Sequence, residues 1–473
     1  MYAMIFLGII SFGLSLILTP LFRNLALRLH IVDEPDHERK LHKVPIPRIG
    51  GVAIIASAVG AYGFLFLVNL NGGAIVRAGE PFALRLLPAV AVIFGIGLID
   101  DIVKVRPAYK LAAQVVAAVL AWESGIHLNA IGGHELPIGL SFSLTTIWIV
   151  ACSNAMNLID GVDGLAAGIG FFAIITTFIA ALFHHNLALV FATVPLAGAL
   201  LGFLRFNFSP ASIFLGDCGS LTLGFLLGCY GVVWSEKSTT LLSMIAPLMV
   251  LFVPLLDTGL AVARRFLRRE PIFSADRGHI HHKLLSQGLP PQRVVLILYG
   301  FCGMAGIAGL ILTATQVQYH GFVVTIVVLA AWLGIQHLGY TEFGAASKVV
   351  FGGEFHRLLN AHLSLAKFER ELLACKTLED TWLLLCKECL AFGFSGVELR
   401  IDGEVRHKRT NAGWHIQVEF PGRGHIVLTR EAESREWSSS GMLFVDCIER
   451  VFFKRFNELK PRLSKIPAYA QAN

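Results

Sequence analysis

The chain has 473 residues, of which 55% are hydrophobic and only 15% charged. This composition excludes an ordinary soluble domain and is typical of a protein embedded in a bilayer. The net charge of +6 would favour nucleic acid as the partner of a soluble protein, but here the basic residues flank apolar segments, so we interpret them as topology signals and expect no nucleic-acid partner.

Eleven segments are predicted as membrane spans, because each approaches the roughly 20 apolar residues that a crossing helix needs. Their centres, in chain order, are Gly8, Ala61, Val92, Val116, Ile149, Ile174, Pro195, Leu226, Pro247, Gly303 and Leu329. The first segment lacks a basic leader and a cleavage pattern, so we expect a retained span rather than a signal peptide. The prediction is an all-α polytopic membrane protein over residues 1–340.

Basic residues are concentrated in the loops that follow odd-numbered spans. These loops hold the basic residues from Arg23 to Arg48, from Lys104 to Lys110, Arg205, and from Arg264 to Arg293, whereas the other loops hold only Arg77, Arg85 and Lys237. By the positive-inside rule, the basic loops face the cytoplasm. We therefore expect the N-terminus outside and the C-terminus inside.

After about residue 341 the long apolar runs stop and charges recur every few residues. Residues 355–394 have helical apolar spacing, and GVELRIDG, GWHIQVEF and GHIVLTR predict strands. Residues 341–473 are thus predicted to form a small soluble α+β domain on the cytoplasmic side. Its order of helices before sheet resembles a truncated GAF-type sensor module, and its role does not follow from its residues.

The eight cysteines are scattered, and they suggest no disulfide framework. Cys386 and Cys389 form a lone C-x-x-C pair. A structural zinc site needs a further pair of ligands, so we interpret these two as ordinary thiols one helical turn apart.

An acidic pair, Asp100 and Asp101, ends the third span, and Lys110 follows nine residues later. Adjacent carboxylates repel each other unless a divalent metal or a proton lies between them, and a nearby lysine suits a phosphate. A solvated pair at a helix end is the alternative.

A second cluster, NAMNLIDGVDGLAAG, lies between spans five and six. It places Asn154, Asn157, Asp160 and Asp163 at three-residue steps. These side chains share one helix face, or a helix end that loosens at the glycines. Such a row of oxygen ligands suits Mg²⁺ or sugar hydroxyls. Helix capping and turn formation remain the alternative interpretation.

Two further clusters carry chemistry. In FLGDCGS, Asp217 stands between glycines at the start of span eight, where backbone N–H groups favour an anion, although the pattern also fits a plain turn. Between spans nine and ten lie the basic residues Arg264 and Arg265, the carboxylate of Asp276, and the H-I-H-H run of His279, His281 and His282. Histidines can bind transition metals, but the oxygen-rich clusters favour Mg²⁺, so we expect phosphate contacts or proton handling here.

All four clusters lie in loops that the charge pattern assigns to one membrane face. Ionisable residues near a bilayer are costly and mark function, so we expect a single active site at this face. In this order, N-x-x-N-x-x-D-G-x-D-G-L and a downstream H-x-H-H resemble the polyprenyl-phosphate N-acetylhexosamine-1-phosphate transferase superfamily (glycosyltransferase family 4) over about residues 1–340.

The H-I-H-H-K-L-L form and the PIPRIGG segment (45–51) are more similar to the branch that starts O-antigen, enterobacterial common antigen or teichoic-acid linkage units. The resemblance implies transfer of N-acetylglucosamine-1-phosphate from UDP-N-acetylglucosamine to undecaprenyl phosphate, with release of UMP. It also implies Mg²⁺, with Mn²⁺ as an alternative, a location in a bacterial inner membrane, and assembly as a homodimer. Cell-surface glycan and lipopolysaccharide synthesis would follow.

Residue by residue, the resemblance implies Mg²⁺ bound by Asp217 and Asn157, with Asp100 as base on the lipid phosphate and Asp101 close by. It makes Asp160 and Asp163 an essential acidic pair and places His279, His281 and His282 at the donor phosphates. The remaining residues implied to contact substrate are Lys110, Asn154, Arg264, Arg265 and Asp276.

Three rival functions differ in testable features. An ion- or proton-coupled transporter would place its acids at mid-membrane between inverted repeats, whereas these acids lie at loop ends. A CDP-alcohol phosphotransferase would carry an A-R pair soon after D-G, where this chain has VDGLAAGIG. A membrane sensor that acts through residues 341–473 is the third, and deletion of that segment tests it.

Overall fold

The computed structural model describes residues 2–34, 45–67, 73–131, 134–235, 245–268, 278–314, 319–337, 354–401, 404–408, 413–420, 424–431, 439–452, 455 and 458. The chain divides into two compact units, Met1–Gly339 and Tyr340–Asn473. Asp276 lies outside the described residues, as do the parts of the loops at 35–44, 236–244 and 269–277.

The first unit is built from helices. They are α1 (Tyr2–Arg28), α2 (Gly50–Leu67), α3 (Gly73–Val103), α4 (Pro107–Glu123), α5 (Ile138–Ile159), α6 (Leu165–Phe183), α7 (Leu187–Asn207), α8 (Gly216–Ser235), α9 (Ile245–Val250), α10 (Phe252–Arg268), α11 (Ile280–Ser286), α12 (Pro291–Ala314) and α13 (His320–His337). Two short antiparallel pairs join them: β1 (Val32–Asp33) with β2 (Ile46–Pro47), and β3 (Ala130–Ile131) with β4 (His134–Glu135).

Each of the eleven predicted span centres lies within one of these helices. Among the described residues, eight helices are long and apolar enough to cross a membrane, namely α1, α3, α5, α6, α7, α8, α12 and α13. The helix α4 has 17 residues, and the ninth predicted span is divided at Leu251 into α9 and α10. This break has a local cause, because Pro254 has no N–H to donate to the carbonyl of Val250.

The helix α8 lies at the centre of the first unit and is buried along almost its whole length. Its glycines allow this, because a methyl group on Gly224 would lie 2.5 Å from the carbonyl oxygen of Cys152 in α5. On the α3 side, a methyl group on Gly97 would lie 2.6 Å from the Cα of Cys218. The N-terminus of α8 is therefore held where α3 and α5 end.

The pair α1 and α7 shows how polar groups are satisfied between spans. Pro195 interrupts the backbone hydrogen bonds of α7 and leaves the carbonyl of Phe191 free, and this carbonyl accepts from the Tyr62 hydroxyl. The hydroxyl of Ser11 in α1 donates to the Pro195 carbonyl at 2.6 Å, and Ser15 donates to Ala199 at 2.8 Å. These bonds and the small side chains around them fix the two helices side by side.

The second unit contains α14 (Glu354–Ala374), α15 (Leu378–Ala391), an antiparallel sheet, and α16 (Ser439–Cys447) followed by a π-helical turn (Ile448–Phe452). The strands are β5 (Gly396–Ile401), β6 (Glu404–Lys408), β7 (Gly413–Phe420) and β8 (Gly424–Glu431), in the order β6-β5-β8-β7. The segment 355–394, predicted to be helical, corresponds to α14 and α15, and the three predicted strands correspond to β5, β7 and β8. The strand β6 was not predicted.

Strand pairing explains the core of this unit. Val397 pairs with Leu428 and Leu399 pairs with Ile426, so all four apolar side chains lie on one face of the sheet. This face packs against buried residues of α14, α15 and α16. Cys386 and Cys389 belong to this core, and burial raises the pKa of the Cys389 thiol.

Candidate active site

The carboxylate of Asp101, in the last turns of α3, caps the N-terminus of α8. Its Oδ1 accepts the backbone N–H of Asp217 at 2.8 Å, and its Oδ2 accepts that of Cys218 at 2.9 Å. Both oxygens thus serve free N–H groups at a helix start. The glycines around Asp217 predicted an anion at this helix start, and the anion there is the carboxylate of Asp101. These two N–H groups are therefore not available to a phosphate.

Asp100 faces a different set of partners. Its Oδ1 accepts the N–H of Val105 at 2.6 Å, in the turn between α3 and α4, and its Oδ2 lies 3.3 Å from the Lys110 ammonium. Lys110 also binds Oδ2 of Asp217 at 2.8 Å. One lysine therefore bridges the first and third sequence clusters, which are more than 100 residues apart, and one of its three N–H donors remains for a further acceptor.

The PIPRIGG segment (45–51) forms backbone hydrogen bonds with the chain that leads into α8. Its strand β2 and the start of α2 bond to the segment before α8: Phe214 N–H donates to Pro47, and the N–H groups of Gly50 and Gly51 donate to Phe214 and Leu215. Gly216 has φ +75 and packs against the Arg48 carbonyl, where a side chain would collide with it. A glycine is required here on both grounds.

The sequence allowed two forms for the row Asn154, Asn157, Asp160 and Asp163: a single helix face, or a helix end that loosens. The structure has the second form. The helix α5 ends at Ile159, Asp160 forms its C-cap, and α6 begins after Gly164 with φ +79. Asn154 is paired with Gln114 of α4 through both amide groups. We conclude that the Asn154 amide joins α5 to α4.

Asn157 and Asp160 are placed towards α8. The Asn157 amide nitrogen donates to the Ser220 hydroxyl at 3.0 Å, one turn beyond Asp217. Its amide oxygen accepts no hydrogen bond from the described residues. Burial, with the carboxylates of Asp217 and Asp101, raises the pKa of Asp160 well above its usual value. A proton or a cation is therefore favoured at this point of the site.

Asp163 joins two loops. Its Oδ2 accepts the backbone N–H of Ala211 at 2.9 Å, in the loop between α7 and α8. The carboxylate thus ties the D-G-x-D-G turn to the chain that leads into α8. Sequence reasoning gave Asp163 the same role as Asp160, but the geometry distinguishes the two.

The histidine segment meets the same turn. His281 is buried, and a methyl group on Gly161 would lie 2.8 Å from its Nε2. Burial and the neighbouring His282 imidazole lower the pKa of His281 to about 3, so this ring is neutral at neutral pH. The rings of His279 and His281 are stacked with centroids 5.6 Å apart.

Asp257 of α10 holds the start of this segment. Its Oδ2 lies 3.0 Å from His279 Nδ1, and its Oδ1 accepts the N–H of Ile280 at 2.8 Å. Arg264 and Arg265 are buried further along the same helix, and the Arg264 guanidinium packs against Gly278. Sequence reasoning missed Asp257, Gln114 and Ser220, although the seven-residue step from Asp257 to Arg264 is a visible helical spacing.

A large cavity lies on the other side of the histidine helix. It measures about 770 Å³ between α10, α11, α12 and α13, and its lining is apolar apart from Gln287 and His337. Ile280 and Leu284 of α11 belong to this lining. The helix α11 therefore separates an apolar cavity from the polar residues around Gly161.

The oxygen ligands at this site fit Mg²⁺ better than they fit a metal whose whole coordination shell comes from the protein. No group of three His, Cys, Asp or Glu that could hold a metal occurs among the described residues. Mg²⁺ is usually bound by one or two carboxylates, with water and substrate phosphates completing its shell. The free amide oxygen of Asn157 and the crowded carboxylates of Asp160 and Asp217 satisfy that requirement.

Comparison with known proteins relates this chain to a family. Residues 83–235 match the sequence model of glycosyl transferase family 4. A Bacillus subtilis protein named "Probable undecaprenyl-phosphate N-acetylglucosaminyl 1-phosphate transferase" is 31% identical over 332 residues, which are 68% of this chain and 88% of the relative.

Two other relatives have related names. The decaprenyl-phosphate N-acetylglucosaminephosphotransferase of Mycobacterium tuberculosis is 36% identical over 312 residues, 60% of this chain and 76% of the relative. The undecaprenyl-phosphate alpha-N-acetylglucosaminyl 1-phosphate transferase of Thermotoga maritima is 29% identical over 300 residues, 63% of this chain and 87% of the relative. The similarity thus spans most of each relative's length.

Proposed function

Because the chain belongs to glycosyl transferase family 4, we propose that it transfers N-acetylglucosamine-1-phosphate from UDP-N-acetylglucosamine to undecaprenyl phosphate and releases UMP. It is a multi-pass membrane protein and a phospho-N-acetylhexosamine transferase. The observation that carries the proposal is the bridge made by Lys110 between Asp100 and Asp217, next to Asn157 and the D-G-x-D-G turn. This is one charged site assembled from distant segments, as a diphosphate and a lipid phosphate require.

The proposed reaction is an attack of a lipid phosphate oxygen on the β-phosphorus of the donor. A new phosphorus–oxygen bond forms, and the bond from the β-phosphorus to the bridging oxygen breaks, so that UMP leaves with that oxygen. Positioning and charge neutralisation supply most of the catalysis in such transfers. Asp100 would act on the attacking phosphate through Lys110, whose third donor would bind a phosphate oxygen.

The remaining roles follow from the contacts. Asp217 and Asn157 would hold Mg²⁺, which when bound would neutralise phosphate charge. Asp160 would contribute a second carboxylate towards it. His282, Arg264 and Arg265 would contact the donor diphosphate, and His279 would accept a hydrogen bond from a hydroxyl or amide group of the same donor. Asp101, Asp163 and Asn154 would hold the loops in place through the bonds described above.

We assign catalysis to the unit 1–339, since all the site residues named here belong to it. We further propose that the site faces the cytoplasm of a bacterial inner membrane, in agreement with the basic loops, and that the product enters cell-surface glycan synthesis, with O-antigen and other lipopolysaccharide as one outcome. Homodimer formation and a sensory role for 340–473 remain proposals, tested by solution mass and by deletion of that unit.

Gly161 gives a specific test of the contact between the D-G-x-D-G turn and the histidine segment. Gly161→Ala should lower kcat about 10-fold or more, because the new methyl group lies 2.8 Å from His281 Nε2 and must displace the ring. Gly139→Ala is the matched control, since its methyl group meets no atom within 4 Å. The kcat of the two purified variants is compared; equal activity would show that the contact has no bearing on turnover.

We propose that the apolar cavity binds the part of the acceptor's hydrocarbon chain that lies next to its phosphate. Ala331→Trp in α13 fills part of it, so we expect the KM for undecaprenyl phosphate to rise about 10-fold, with an unchanged KM for the nucleotide sugar. Leu329→Trp adds the same ring on an exposed face of the same helix, outside the cavity lining, and should leave both constants unchanged. Equal effects of the two variants would exclude this placement.

The function itself is tested by UMP release from purified protein in detergent, with undecaprenyl phosphate and a panel of UDP-N-acetylhexosamines. We expect release with UDP-N-acetylglucosamine, its loss with EDTA, and its return with added Mg²⁺, with Mn²⁺ as a second metal to compare. Release with a different sugar would correct the donor. No release with any donor, from folded protein, would favour the transporter alternative.

A further inference from the structure

The α10 residue Asp257 is one of the most deeply buried carboxyl groups of the described part of the chain, with 1% of its surface exposed. A buried carboxylate is costly unless each oxygen has a hydrogen-bond donor. Both oxygens of Asp257 are used, one by His279 Nδ1 at 3.0 Å and one by the Ile280 N–H at 2.8 Å. We propose that Asp257 is a positioning residue that fixes the tautomer and the place of His279, so that its second ring nitrogen accepts a hydrogen bond from a hydroxyl or amide group of the nucleotide sugar.

The tautomer follows from hydrogen-bond chemistry. An ionised carboxylate only accepts, so the Nδ1 of His279 carries the hydrogen that lies between the two groups. The other ring nitrogen, Nε2, then carries a lone pair that can accept a hydrogen bond from the substrate, and no described residue bonds to it. Nδ1 of His281 lies 4.0 Å from the same carboxylate oxygen. Asp257 thus determines which nitrogen of the first histidine reaches the site.

The helix α10 holds the histidine segment at two points. Asp257, Ala261, Arg264 and Arg265 share one buried face of this helix at steps of four, seven and eight residues. Arg264 packs against Gly278, where a methyl group would lie 2.5 Å from its guanidinium carbon, and Asp257 binds the next two residues. The position of α10 therefore sets the position of the histidine segment. Of the two contacts, the one made by Asp257 joins a carboxylate to a histidine ring.

The substitution Asp257→Asn separates positioning from simple capping. The amide oxygen of asparagine still accepts the Ile280 N–H, so the start of α11 remains capped. Its NH₂ group now faces His279 Nδ1 and donates, so the ring must take the opposite tautomer. A residue that acts only as a cap would be little affected by this change, whereas a positioning residue would lose its function.

The inference rests on the proposed function, and its test uses the UMP-release assay. We expect Asp257→Asn to lower kcat about 10- to 100-fold, the range seen when a partner that orients a functional histidine is removed, with an unchanged KM for undecaprenyl phosphate and a thermal midpoint close to that of the wild type. Thr258→Val is the matched control, because the buried Thr258 hydroxyl has no hydrogen-bond partner in the described structure; it should retain wild-type kcat.

A double-mutant cycle with His279→Gln completes the test. If Asp257 acts through His279, the double variant is no slower than the slower single variant. Independent, multiplying losses would overturn the inference, and so would an Asp257→Asn variant as active as Thr258→Val. A wild-type protein without transfer would contradict the proposed function itself, whereas an active wild type with an unaffected Asp257→Asn contradicts this inference alone.

Discussion

Replacement of Asp217 by asparagine should lower kcat at least about 1,000-fold, which corresponds to about 4 kcal/mol of transition-state stabilisation. The change removes the charge that binds Lys110 at 2.8 Å and the proposed carboxylate ligand of Mg²⁺. The volume is kept, and the cap on α8 is kept too, because Asp101 bonds to the backbone N–H of residue 217 rather than to its side chain. The variant should therefore fold normally.

The measurement is kcat for UMP release beside the thermal unfolding midpoint in the same detergent. Glu123→Gln is the matched control, since this exposed carboxylate lies at the opposite end of α4 from Lys110, and it should behave as wild type. A folded Asp217→Asn variant with near-normal turnover would remove Asp217 from the catalytic machinery.

The neighbouring carboxylates Asp100 and Asp101 should respond in opposite ways to substitution. Asp100→Asn should lower kcat about 100-fold or more with little change in stability, because its amide oxygen can still accept the Val105 N–H while the charge facing Lys110 is lost. Asp101→Ala should destabilise the protein by about 2 to 4 kcal/mol, because two backbone N–H groups at the start of α8 lose their acceptor.

The contrast is measured by thermal unfolding and by kcat per folded protein at a temperature where both variants remain folded. Asp101→Asn provides an intermediate, since it keeps one acceptor oxygen of the two. An Asp100→Asn variant that loses stability but keeps its turnover, beside a stable and inactive Asp101→Ala, would reverse the roles assigned to the pair.

Much of the helical architecture could be predicted from sequence, because burial in a bilayer imposes long apolar segments that need no knowledge of their neighbours. All eleven centres, from Gly8 to Leu329, lie in helices. The divided segment around Pro247 could not be predicted in this way, since it depends on one missing hydrogen bond near Pro254. The short strands β1 to β4 were also missed, because two-residue pairings leave no periodicity to detect.

The candidate site could be located in sequence, but its internal division of roles could not. Adjacent acids such as Asp100 and Asp101 look equivalent in a sequence, and only the packing of α3 on α8 turns one towards Lys110 and the other into a cap. Asn154 looked like a further oxygen ligand, whereas Gln114, a residue without any motif, occupies its amide. Asp257 is the first residue of the DTGLAVARRFLRREPIFSADRGHIHHKLL segment, but nothing in that segment indicates a role for it.

The fate of the donor's β-phosphorus distinguishes transfer of the sugar phosphate from transfer of the sugar alone. Purified protein is given undecaprenyl phosphate, Mg²⁺ and UDP-N-acetylglucosamine labelled with ³²P at the β-phosphate, and the lipid and aqueous products are separated. We expect the label to enter the lipid fraction together with the sugar and unlabelled UMP to remain in water. Label recovered as UDP, or no label in the lipid with folded protein, would contradict it.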